Sequence, residues 1–308
     1  MKNFKHVVAA SGVVLASLVS FGAEASIPTQ VQYSTAGDGI YDLTAINSFD
    51  NQNDSTLVIR DDNISTSTGA TTVSEFFGGV LAGTTNIGDT ISFDIHYQSV
   101  LTGFTTNNSS DAPVGFEITT VLSGTETAQV VAIIPNADPN LTQVIINFTA
   151  MQGTYQLFHD TDVNTYADLI TGVGFDDGVN ILSGNLGLAS IGSTFTADFT
   201  GAGSGSTFLS NTITSYNSSY LEAFPGSNAP LVGTTVDTTI NLDFGISSPI
   251  NFGATIGDKG YVVNTADLRL SADAGIKFQA EPVPEPSSLF LLGGGLLMLG
   301  GLKKQRKA

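Results

Sequence analysis

The chain has 308 residues, 41% hydrophobic and only 12% charged, with 28 acidic residues against 10 basic and neither cysteine nor tryptophan. This composition excludes a disulfide framework, a thiolate nucleophile and a cysteine-based zinc site. The acidic balance excludes nucleic acid as a partner, because binding phosphates needs clustered Lys and Arg.

The charges are unevenly placed. Lys2 and Lys5 lie at the start, and Lys303, Lys304, Arg306 and Lys307 at the end. Residues 26–282 keep four basic against 26 acidic residues, a balance of −22. Ser, Thr, Asn and Gly take the place of the missing charge, giving a polar, mostly neutral surface. An acidic field of this kind favours cations, calcium among them.

Residues 1–25 read as a signal peptide. Lys2 and Lys5 form a positive n-region, and a mostly apolar run follows from Val7 to Val19. Ala23 and Ala25 supply the small residues that a signal peptidase requires, so cleavage falls before Ser26. The alternative is a permanent N-terminal anchor, for which the apolar run is short against the roughly 20 residues of a span.

Residues 26–282 read as β throughout. Strict alternation marks strands with one buried face. It runs through Ile91, Phe93, Ile95 and Tyr97, then Val114, Phe116 and Ile118, then Val144, Ile146 and Phe148. Further on it runs from Val236 to Ile246, and without a break from Ala266 to Gln279. Val130–Ile134 is a continuous apolar run that suits a strand buried on both faces. Helical pattern is confined to Val73–Leu81 and Thr165–Thr171. Many short strands between polar turns predict an all-β fold, a β-sandwich with a jelly-roll-like arrangement. The Gly-Ser stretch at 201–206 fits either a linker between two β units or a turn within one domain.

Catalytic side chains are scarce. The mature region has two histidines, His96 and His159, and no nucleophile elbow or zinc-protease helix. His96 falls on the polar side of its strand. Asp160, Asp162 and Asn164, at alternate positions, match the start of a calcium loop, but Thr165 and Thr171 stand where its Gly and Glu belong. They define a candidate calcium site or an Asx-rich turn, and the fold requires no cofactor.

The C-terminus has three parts in order: Val283-Pro284-Glu285-Pro286, an apolar Gly-rich stretch from Leu289 to Leu302, and the basic cluster Lys303, Lys304, Arg306 and Lys307. The prolines hold the chain extended. The apolar stretch predicts a short membrane helix, and the basic cluster stays on the cytoplasmic side. An ordinary anchor is the alternative, for which 14 residues are few.

This three-part order resembles the PEP-CTERM sorting signal, with residues 283–308 as a sorting and anchor segment. The resemblance implies an exosortase as partner, transient anchoring in the inner membrane, then transfer to the cell surface or extracellular matrix. The stretch from Gly153 to Gly178 is also similar to the bodies of flocculation-associated PEP-CTERM proteins. Together these imply an exported, non-enzymatic protein that supports floc or biofilm formation by binding extracellular polysaccharide. The alternative is a secreted polysaccharide-active hydrolase, which would need a facing carboxylate pair in a cleft.

Overall fold

The computed structural model describes residues 30–51, 55–106, 110–162, 167, 173–188, 193–198, 203–225, 231–233, 235–243 and 267–278. The early strands are β1 (Val31–Tyr33), β2 (Leu43–Asn51), β3 (Ser55–Thr66), β4 (Thr90–Thr106), β5 (Ser110–Asp111) and β6 (Glu117–Ile134). They are followed by β7 (Gln143–Asp160), β8 (Val179–Leu186), β9 (Thr194–Asp198), β10 (Gly203–Tyr216), β11 (Leu221–Ala223), β12 (Thr235–Asp243) and β13 (Leu268–Phe278). An α-helix, α1 (Val73–Ala82), joins β3 to β4, and a short 3-10 turn at Pro139–Leu141 joins β6 to β7.

The described strands form one antiparallel sheet that closes on itself. From β3 the ladder passes through β4, β6, β7, β8, β10, β12 and β13, and β13 pairs back onto β3. The order follows the chain, so this is an up-and-down ring of eight long positions. Two positions are each filled by a pair of strands in line. β2 and β3 both lie between β4 and β13, and β8 and β9 both lie between β7 and β10. β1 and β11 continue the sheet from β2.

The all-β expectation is met, but the two-sheet sandwich gives way to a single closed sheet. Alternation along a strand is identical in both architectures; only the β13–β3 pairing, across some 200 residues of chain, separates them. Closure also corrects two local readings. A closed sheet has a single inside, so β6 buries Val130 but leaves Val131 42% and Ile134 47% exposed. Val114 is 86% exposed, because the chain turns at Gly115 (φ +80°) and β6 starts only at Glu117.

The Gly-Ser stretch is no linker. Gly203 to Ser206 pairs with β9 on one side, and Ser204 to Ser206 pairs with β12 on the other. A Cβ at Gly203 would lie 1.9 Å from the carbonyl oxygen of Thr196, so glycine permits this close approach.

The inward face carries the core. Leu57, Tyr97, Leu122, Tyr155, Leu182 and Ile276 are all buried. A ring of eight strands leaves a lumen that side chains can fill or that can hold one small ligand. Among the described residues, each end carries an apolar group of its own. At one end stands α1, whose buried Val73, Phe76 and Phe77 share a face. Its start is capped: Thr72 Oγ1 accepts from Glu75 N at 3.0 Å, and Glu75 Oε2 accepts from Thr71 N at 2.8 Å. Gly83, at φ +73°, ends it. At the other end Tyr33, Phe104, Phe116, His159 and Tyr220 form an aromatic cluster.

The second predicted helical stretch, 165–171, lies outside the described residues except for Ala167. The C-terminal membrane helix lies outside them too. Among the described residues no helix is long and apolar enough to cross a membrane.

Candidate functional site

Three places on the body bring polar or titratable groups together. The first is the aromatic end. His159 faces inward on β7, 2% exposed, with Nδ1 bonded to Tyr33 Oη and its ring stacked on Phe116 at 5.3 Å. Burial holds its pKa below the usual histidine value, against the opposing pull of Asp160. Next to it, Glu117 accepts from Ala167 N at 2.8 Å. Burial pushes Glu117 up to about 6, and Asp160 and Asp177 add to the rise.

The candidate calcium residues Asp160 and Asp162 lie just beyond. Asp162 N donates to Asp160 Oδ1 at 2.8 Å, which closes an Asx turn. Asn164 lies outside the described residues. Among the described residues no group of three or more acidic, His or Cys side chains is placed to hold a metal ion.

The second place is an open groove of about 550 Å3 at the α1 end of the ring, beside the β6–β7 link and the paired ends of β9 and β10. Asn136, Gln143, Thr196, Asp198 and Ser204 supply its polar lining, and Ile134 and Leu141 its apolar part. Strand pairing assembles it: Gln143 lies opposite Asp198, and Thr196 opposite Ser204. Amides and hydroxyls both donate and accept, and the carboxylate accepts, so the lining matches a ligand rich in hydroxyl groups.

The third is the lumen beneath α1, where Glu126 projects from β6 into an apolar cavity of about 30 Å3. Glu126 is 4% exposed, and its Oε1 has no hydrogen-bond partner. Burial alone pushes its carboxyl up to about 8.

His96 sits on the outer face of β4, as its place in the alternation predicts, with Nδ1 3.0 Å from Ser123 Oγ. Burial, followed by nearby Arg60, lowers its pKa.

Sequence reasoning missed Glu126, although a signal existed. It occupies the inward phase of β6 between Leu122 and Ala128, where an acid breaks an otherwise apolar register. The groove left no such signal, since its polar residues meet only through pairings between distant strands.

The signal-cleavage residues Ala23, Ala25 and Ser26 lie outside the described residues. So do Val283, Pro284, Glu285, Pro286, Lys303, Lys304, Arg306 and Lys307. For the C-terminal set, comparison by sequence speaks directly: residues 282–307 match the family described as the PEP-CTERM protein-sorting motif. No curated protein and no solved structure matches the chain. This C-terminal motif supports an exported protein sorted through its C-terminus. It is the motif of PEP-CTERM proteins, and it implies exosortase as the processing partner.

Proposed function

We propose that the body is a non-catalytic matrix protein that supports floc or biofilm formation by binding extracellular polysaccharide. The groove at the α1 end carries this reading. Its lining supplies two amides, two hydroxyls and one carboxylate to a hydroxyl-rich polymer. Single contacts of this kind are each worth a net of roughly 0.5–1.5 kcal/mol. Retention would come from many copies engaging one long chain, which raises avidity without new contacts. The sorting tail delivers the protein from the inner membrane to the surface where such polymer accumulates.

The polysaccharide hydrolase remains the competing reading. A glycosidase works with two carboxylates flanking the scissile bond, and among the described residues lining the groove Asp198 is the one acid. The Ser123–His96 contact lies on the outer wall of β4 and β6, away from the groove.

The test is co-sedimentation of the purified mature protein with polymer from the producing cells. The protein should pellet with the polymer and leave its chain length unchanged, and exchanging Gln143 and Asp198 for Ala should reduce the pelleted fraction several-fold. Loss of the gene should disperse flocs while polymer synthesis continues. Shortening of the polymer would establish the hydrolase instead, and failure to co-sediment would remove the binding role.

A further inference from the structure

The cavity beneath α1 lies apart from the polysaccharide groove and rests on different observations. Glu126 faces inward between Phe93 of β4 and Met151 of β7, its register partners. Phe77 of α1 and Phe93, Phe148 and Phe195 of the ring share the cavity wall with it. The rest of the lining, from β3, β7, β13 and the start of α1, is aliphatic.

Among the described residues, no element packed around the cavity presents a Lys, Arg or His to this carboxyl. Glu126 is the one titratable group in the lining, and burial is the sole cause of its shift. A lone carboxyl in an apolar interior is costly, and an unpartnered oxygen adds to that cost. Leu or Met at this position would fill the space without the penalty. The arrangement therefore leaves Oε1 without a hydrogen-bond donor.

We propose that this end of the lumen is a binding site for a small organic ammonium ion, with Glu126 as its counter-ion and the four phenylalanines as its walls. An ammonium N–H donates to Oε1. The alkyl part packs on the rings, whose faces attract the cation electrostatically. A hard divalent ion is a poor match, because it requires six or more oxygen ligands and this lining offers a single carboxyl group. The volume, about 30 Å3, is close to one water's share of liquid, so it suits an amine of no more than two heavy atoms. Binding converts the carboxylic acid to carboxylate beside the ammonium, and the displaced proton goes to solvent.

The test is calorimetric titration of the full chain at pH 7 with methylammonium chloride, in two buffers of different ionisation enthalpy. The expected result is one saturable site with release of close to one proton per amine bound. Methanol, of similar size but neutral, should bind at least tenfold more weakly. Glu126→Gln keeps the shape of the side chain and should weaken methylammonium at least tenfold while abolishing proton release. A carbon-13 spectrum of the unaltered protein should show the Glu126 carboxyl moving to its carboxylate position on saturation, which reads the site without any variant. The proposal is overturned if no saturable binding occurs and the cavity holds an ordered water only. It is equally overturned if Glu126→Gln binds as well as the parent, or if the carboxyl signal does not move.

Discussion

Tyr155 of β7 lies directly over Gly184 of β8: a Cβ built on the glycine would stand 2.1 Å from Cε1 of the tyrosine and 2.6 Å from the carbonyl oxygen of Thr212. The two are register partners, so the tyrosine ring uses the space that the missing side chain leaves. Gly184→Ala should push the ring off its site in a filled interior, at a cost of about 1–3 kcal/mol. A lower urea midpoint at an unchanged slope would measure this; an unchanged midpoint would mean that the ring has room to move.

Glu126 should make stability fall with rising pH. Its folded pKa, about 8, lies above the ordinary 4.5, so the folded chain binds the extra proton between those values. Its contribution is full below the unfolded value and is lost as pH rises through about 8. Glu117, raised to about 6, acts the same way over the lower part of that range. His159 and His96 are lowered, so their contributions are present above the ordinary 6.5 and lost as pH falls below it. From pH 6.5 to 8 Glu126 therefore dominates, with a slope of up to about 1.4 kcal/mol per pH unit. Glu126→Gln should flatten that window in chemical denaturation, and a slope that survives the substitution would assign it to another group.

The start of α1 depends on its cap. Thr72→Ala removes the acceptor for Glu75 N and should cost about 1 kcal/mol. Because α1 stands at one end of the lumen, amide exchange in Val73–Phe77 should speed up more than in β7, and equal acceleration in both would contradict a local role.

Much of this architecture was legible in the sequence, and the limits are physical. The period of two over Ala266–Gln279 identified β13, and the short apolar pattern from Val73 identified α1. Alternation states which residues face inward. It does not state whether the strands form two layers or one ring, because that depends on the pairing of Leu268 with Ile59 across the length of the body. His159 stands next to the Asp160–Asn164 pattern in sequence, yet its ring belongs to the aromatic end, where Tyr33 reaches it from far along the chain. The sorting tail was the most readable part, since its three segments act through composition and order and need no tertiary partner.

Processing at both termini should be visible in the mature protein. Intact-mass measurement on material recovered from the surface of producing cells should show a chain that begins at Ser26 and lacks Lys303, Lys304, Arg306 and Lys307. Retention of the basic cluster on surface-located protein would mean that the tail is a lasting anchor.

Ring closure also sets the timing of folding. Among the described strands β13 is synthesised last, and it pairs with β2 and β3, which are synthesised among the earliest. Until it arrives, β3 has an unsatisfied edge, and the body cannot complete its cooperative unit. Contacts of such long sequence separation form slowly. The sorting motif begins at residue 282, four positions after β13 ends at Phe278.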